Sequence, residues 1–265
     1  MESRPILWHI EISHYNEKVR WALDYKGVEH ERRAPIPGFH IAVALARTHG
    51  RSYTFPMLAL DGRRIGDSTA IIAALEERYP DPPLYPAGEA ERRRALELED
   101  WFDRELGPYM RRYAFHELRK DRKLTGEISS QVLPKRLARF TTMAGAYARA
   151  FTALRFGAAS DRRADEARER ILIALDELES RLGGNEYLVG ERFSVADLTA
   201  ASLFYPLVLP PEGPQTGIPA DAFEELTGPL GDRRGLRWVR EMFRRHRHRW
   251  SSGIRFDRQA ERVAG

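Results

Sequence analysis

Apolar positions come in short runs at the start of this chain and at helical spacing over most of the rest. Pro5 to Ile10 (PILWHI) is a short apolar run rich in strand formers. Beyond it, Tyr15, Val19, Ala22 and Leu23 fall at helical spacing, with Ser13 placed to cap the helix and Gly27 where it stops. Val28 to Arg33 reads as a second strand, so the chain opens with a strand–helix–strand unit near the minimal size for a parallel crossover. Ala34 to Gly50 reads as a loop with one poorly formed helix, because prolines and glycines interrupt its single apolar stretch. Met57 to Leu60 and Arg63 to Ile65 are two short strands joined by the hairpin signal Asp61-Gly62. Asp67 and Ser68 then open a helix through Tyr79, with Ala70, Ile71, Ala74 and Leu75 on its buried side. The order βαβ, loop, ββα fits a mixed sheet with helices on it.

The segment Pro80 to Gly88 (PDPPLYPAG) cannot continue a helix and marks a linker. After it the strand signals largely vanish. Glu89 to Lys120, Glu127 to Arg155 and Arg162 to Leu182 read as helices. Phe193 to Leu198 is a strong helix start: Ser194 caps, Asp197 reaches back as the capping-box acid, and Phe193 and Leu198 have the spacing of a hydrophobic staple. Pro206 to Pro219 reads as a loop with five prolines, and a last helix runs from Arg233 to about Arg247. There is no internal repeat. The fold class is α/β plus all-α: a first domain over 1–82, a linker over 83–89 and an all-helical domain over 90–265.

Composition narrows the chemistry. The 265 residues include no cysteine, so disulfides, thiolate metal sites and cysteine nucleophiles are excluded. Any thiol chemistry must use a thiol from outside the chain. No run approaches the ~18 apolar residues of a membrane span. Met1 to Arg4 leads straight into a strand and lacks the pattern of a signal peptide, so the expectation is a soluble, cytoplasmic protein. The net charge is +4, and much of the positive excess lies between Arg233 and Arg249. That stretch reads as a solvated helix face with Trp238, Met242 and Phe243 turned inward; base-stacking aromatics are not interleaved, so no nucleic-acid partner is expected. His246 and His248 form a pair without a third ligand in view, and no metal is expected. Neither GxGxxG nor GxxxxGK[ST] occurs.

Four stretches, in this order and spacing, resemble the glutathione transferase superfamily over nearly the whole chain: SHYNEKVRWALDYKGVEHE from Ser13, FPML from Phe55, GDSTAIIAALEERYP from Gly66 and NEYLVGERFSVADLTAASLF from Asn185. The resemblance implies a thioredoxin-like first domain, a helical second domain, glutathione as cosubstrate, and a homodimer. It also implies an enzyme of the glutathione S-transferase type, acting by conjugation or isomerisation on a small hydrophobic electrophile. A non-catalytic binding or scaffolding module of the same fold is the alternative, as is an enzyme using another low-molecular-weight thiol, which the unusual loop from Ala34 to Tyr53 keeps open.

A free thiol of pKa ~8.5 is mostly protonated at neutral pH, and the thiolate is the nucleophile. A site that activates it needs a hydrogen-bond donor aimed at sulfur and a positive local potential. Ser13, at a helix start, offers both; it matches the activating serine of serine-type members, and one serine can also cap. Tyrosine-type members carry their phenol where this chain has His9. Tyr15 and Asn16 are reserve donors. Pro56 matches the family's cis-proline, so Phe55 would offer its backbone groups to the tripeptide. Asp67 and Ser68 match the acidic-Ser pair that holds the γ-glutamyl end, a carboxylate for the ammonium and a helix start for the carboxylate. His40 matches a contact to the glycyl carboxylate, with Arg47 or Arg51 as substitutes. Tyr109, Arg112, Tyr113 and His116 would line the electrophile pocket, with Phe204 or Tyr205 opposite.

Overall fold

The computed structural model describes residues 4–34, 55–131 and 141–248. The elements are β1 (Ile6–Trp8), α1 (His14–Tyr25), β2 (Glu31–Arg33), β3 (Met57–Leu60), β4 (Arg63–Gly66) and α2 (Ser68–Arg78). The helical part follows: α3 (Glu89–Glu105), α4 (Gly107–Lys120), α5 (Arg122–Gln131), α6 (Thr141–Phe156), α7 (Asp161–Leu182), α8 (Val195–Val208), a short α9 (Glu224–Thr227) and α10 (Arg234–His246). The strands form one mixed sheet in the order β2-β1-β3-β4. β1 and β2 are parallel, and the other two pairs are antiparallel. This is a thioredoxin-like domain followed by a helical domain. One continuous apolar core runs through both, and a smaller cluster of Trp8, Phe55 and Met57 lies apart from it.

Four boundaries differ from the sequence pattern, each for a local reason. β2 starts at Glu31, not Val28, because Val28 N–H closes back on Leu23 O and the His30 ring turns onto Val28 O. The expected helix Glu89–Lys120 is two helices broken at Leu106. Pro108 has no N–H to continue the ladder, and Gly107 lies so close to α1 that a Cβ there would sit 1.9 Å from Tyr15 Oη. The expected helix Glu127–Arg155 is likewise two, and the first begins earlier, where the Asp121 carboxylate accepts from Lys123 and Leu124 N–H. At the other end, α8 runs through Pro206 to Val208, so the proline-rich loop starts later.

The helix start at Ser194 carries its capping box. Asp197 accepts from Leu188 N–H at 2.8 Å and from Ser194 N–H at 2.9 Å, and burial pushes its carboxyl up to about 6. The linker docks there too, with Val195 N–H donating to Leu84 O at 2.8 Å. α5 and α6 meet closely at Gly126 and Gly145. The outer face of α6 leaves Met143, Tyr147 and Leu154 exposed.

Candidate active site

Strand register places three of the sequence motifs at one end of the sheet. Trp8 pairs with Met57, and Met57 with Gly66, so these three form one row across β1, β3 and β4. Ser13 follows Trp8 through a short turn, Phe55 and Pro56 precede Met57, and Asp67 and Ser68 follow Gly66. The Phe55-Pro56 peptide bond is cis. Both α1 and α2 begin at this end, so two helix starts converge where an anion would be favoured.

Ser13 is the N-cap of α1, in extended backbone, and partly exposed. Its Oγ accepts from Asn16 N–H at 3.4 Å, and its own N–H donates to Ile10 O at 3.1 Å. Among the described residues nothing accepts its hydroxyl hydrogen, which leaves that hydrogen available to a ligand. Of the rival donors, Asn16 Nδ2 and Tyr15 Oη are occupied, while His9 Nε2 is buried with no partner among the described residues. Asn16 is buried, receives Ile10 N–H on Oδ1 and donates through Nδ2 to Phe55 O at 3.2 Å. That bond ties α1 to the cis-proline turn and uses one lone pair of the Phe55 carbonyl. Tyr15 Oη donates to Asp103 O at 2.7 Å, and burial pushes its phenol above the usual range. His9 is buried beside Arg20; burial first, and then Arg20, hold its imidazole well below 6.5.

Asp67 caps α2. Its Oδ1 accepts from Thr69 and Ala70 N–H at 3.0 and 3.1 Å, and its φ of 75° is sparsely populated for a residue other than glycine. Such backbone strain, of order 1–3 kcal/mol, tends to collect at functional sites. Its Oδ2 has no partner among the described residues, so capping and ligand binding can use different oxygens. Ser68 beside it is buried. The next residue, Thr69, meets a buried charge cluster. Lys18 Nζ reaches Glu99 at 2.9 Å, Asp103 at 2.6 Å and Thr69 at 3.3 Å. Burial opposes the Lys18 charge, yet Asp103 and Glu99 outweigh it and raise its pKa. The cluster fastens the α2 start and α1 to α3 of the helical domain.

The expected electrophile residues all belong to α4. Tyr109 is sandwiched by Arg112 and Arg170, while Arg112 also donates to Phe156 O. Tyr113 is buried against Phe223, and His116 is buried with Nδ1 on Ala158 O. These four side chains make contacts within the helical domain, and none of those contacts reaches Ser13. From α4 it is Arg111 that approaches α1, 5.9 Å from the Tyr15 ring and 4.3 Å from the Phe156 ring. Phe156 stacks in turn on Phe115. Arg111 sits one helical turn after Gly107, and that close glycine was the only local hint of it. Tyr205 Oη donates to Ile12 O at 2.8 Å, bracing the turn before Ser13, whereas Phe204 is core. His40, Arg47 and Arg51 lie outside the described residues. Among the described residues no group of three or more His, Asp or Glu side chains could hold a metal ion, and no helix is long and apolar enough to cross a membrane.

Two family models match the chain: "Glutathione S-transferase, N-terminal domain" over residues 7–83 and "Glutathione S-transferase, C-terminal domain" over residues 138–228. Maleylacetoacetate isomerase of Dictyostelium discoideum is 30% identical over 114 residues, 40% of this chain and 50% of that protein. FtsZ-localized protein A of Caulobacter vibrioides is 29% identical over 138 residues, 52% of this chain and 47% of that protein. The chain thus spans about half the length of the curated relatives it matches. Among solved structures, a glutathione S-transferase of Methylobacterium radiotolerans in complex with glutathione sulfonate is similar in fold. Its TM-score is 0.53 at 20% identity, with 96% of this chain and 99% of that chain covered.

Proposed function

The chain belongs to the cytosolic glutathione transferase superfamily, and on that premise we propose that it binds glutathione at the end of the sheet and activates its thiol for attack on a small electrophile. The observation that carries this reading is the row Trp8–Met57–Gly66, which brings Ser13, Phe55-Pro56 and Asp67-Ser68 to one edge. In this reading the Asp67 carboxylate and the Ser68 hydroxyl hold the γ-glutamyl end. The Phe55 backbone pairs with the cysteinyl residue. The Ser13 hydroxyl donates to sulfur, a bond that strengthens as negative charge grows and so favours thiolate over thiol. Among the described residues no base bonds the Ser13 hydroxyl, and in this reading Ser13 is not a covalent nucleophile. We place the electrophile against Arg111 and the Phe115–Phe156 pair, on the side of α4 that faces α1. Conjugation and thiol-assisted isomerisation both fit; the match to a maleylacetoacetate isomerase supports the second. A homodimer is part of the reading, and sedimentation at micromolar concentration should give twice the chain mass.

The test is a pH–rate profile of wild type and Ser13→Ala with glutathione and an aryl halide. Each unit of thiol pKa is worth ~1.4 kcal/mol. The variant should bind glutathione with little change, lose turnover near neutral pH and regain part of it at high pH. Identical profiles would leave Ser13 a helix cap only.

A second reading is a binding module that keeps the fold without catalysis. The match to an FtsZ-localized protein favours it. Calorimetry showing glutathione binding, with no turnover of any electrophile in a broad screen, would select it.

A further inference from the structure

Helix α10 turns Trp238, Met242 and Phe243 inward and leaves Arg234, Arg237, Arg240 and Arg244 in solvent. Arg247, at its C-terminal end, departs from that pattern and is buried. Its guanidinium lies against α1: Nε donates to Glu17 at 2.5 Å and Nη1 to Asp24 at 2.6 Å. Glu17 and Asp24 are also buried, two turns apart on one face of α1. The planar fork of an arginine spans both carboxylates, and the point charge of a lysine cannot. Each carboxylate has a second arginine: Arg20 Nε on Glu17 at 2.8 Å and Arg32 Nη2 on Asp24 at 2.7 Å. Beside this cluster Trp21 Nε1 donates to His246 O at 2.9 Å.

From Glu17 the contacts continue to the thiol site. Arg20, oriented by Glu17, donates to Ile10 O at 3.3 Å and to Glu11 O at 2.9 Å. The same Ile10 carbonyl accepts Ser13 N–H, and Ile10 N–H donates to Asn16 Oδ1. The turn that carries Ser13 is therefore braced by Arg20, and Arg247 supplies the second guanidinium that fixes Glu17.

We propose that Arg247 is a positioning residue for the thiol site, holding through Glu17 and Arg20 the turn that aims the Ser13 hydroxyl. This rests on the reading of Ser13 given above. A clamp that served stability alone would change unfolding and leave the bound thiol as it is. A positioning residue changes the acidity of that thiol while Asp67 and Ser68 keep their grip on the tripeptide.

The experiment compares the full chain with Arg247→Met and Arg247→Lys. Arg247→Met leaves two buried carboxylates short of a partner and is the variant at risk of not folding. Arg247→Lys keeps the charge and loses the span. Two properties are read: ultraviolet titration of the glutathione thiolate on the protein, and hydrogen exchange of residues 10–16 against residues 68–78. For Arg247→Met the thiolate-to-thiol ratio at pH 7 should fall about tenfold, a one-unit rise in thiol pKa, and for Arg247→Lys about threefold. Glutathione affinity should stay within twofold. Exchange should speed up at residues 10–16 and stay unchanged at 68–78. A folded Arg247→Lys with wild-type titration and wild-type protection at 10–16 overturns the proposal. A wild type whose bound thiol titrates like free glutathione sinks the Ser13 reading instead, and the exchange comparison alone then decides whether Arg247 braces the turn.

Discussion

At Asp67 one carboxylate oxygen caps α2 through Thr69 and Ala70 N–H, and the other has no partner among the described residues. A plain alanine substitution would remove cap and anchor together and confuse the two. Asn is as good a cap as Asp but carries no charge. Asp67→Asn should therefore leave thermal stability nearly unchanged and weaken glutathione binding by about 1.5–3 kcal/mol, the scale of a hydrogen bond to a charged group. Calorimetric titration beside a melting curve checks both halves. An unchanged dissociation constant would remove Asp67 from the tripeptide site. Ser13 and Asp67 could be picked out from sequence as helix starts because each cap is made within its own turn. Ser13 and Asp67 bond to backbone only two or three residues ahead. Lys18 with Asp103 and Arg247 with Glu17 could not, since 85 and 230 residues separate the partners and neither pair leaves a local pattern. The same limit applies to the electrophile residues. Tyr109, Arg112, Tyr113 and His116 share one helix with Arg111, and only the packing of that helix decides which side meets α1.

The elements were legible where a local signal ends them. Asp61-Gly62 turns the hairpin, Gly27 stops α1 at a φ of 63°, and the Ser194–Asp197 box starts α8. They were less legible where tertiary contact ends them. The break between α3 and α4 has Pro108 as a partial signal, but its position answers to Tyr15, whose Oη lies where a Cβ of residue 107 would be. This gives a test by coupling. In an open helix Gly→Ala gains up to ~1 kcal/mol of propensity. Here Gly107→Ala should instead lose about 1–3 kcal/mol, the cost of forcing atoms into a packed contact. It should also break the bond from Tyr15 Oη to Asp103 O. In a Tyr15→Leu background the obstructing atoms are gone, and the same substitution should cost little. Urea midpoints for the four proteins of the cycle measure the coupling. Additive costs would mean that Gly107 is not placed by Tyr15.

Across the whole molecule the two domains are joined by buried charges, and stability therefore depends on pH. His9, His14 and His30 are buried, and burial is the first cause that holds each imidazole below 6.5, with His14 pushed down to about 3. Two of them lie on the contacts described above: His14 Nε2 meets Gly107 O at 3.0 Å and His9 Nδ1 meets Arg20 at 2.9 Å. His30 is held by Val28 O and by Arg32. His246, lowered to about 4 by burial, adds less because solvent screens it. Below their unfolded pKa of ~6.5 the unfolded chain takes up protons that the folded chain refuses. Stability then falls as pH falls, by up to ~1.4 kcal/mol per pH unit for each histidine. Asp197 works the other way. Its carboxyl, raised to about 6, makes the folded chain bind the extra proton, so its contribution falls as pH rises between about 4 and 6. The windows overlap, and number decides the sign: three buried histidines oppose one aspartate. Glu17, whose carboxyl Arg247 and Arg20 hold below the usual range against burial, reinforces the loss once the pH drops further. The urea midpoint should therefore be clearly lower at pH 5 than at pH 7. Replacing His14 with Gln, which cannot take up a proton, should flatten that dependence by about one histidine's share. A midpoint that is equal or higher at pH 5 would mean that the histidines at the junction are protonated in the folded protein.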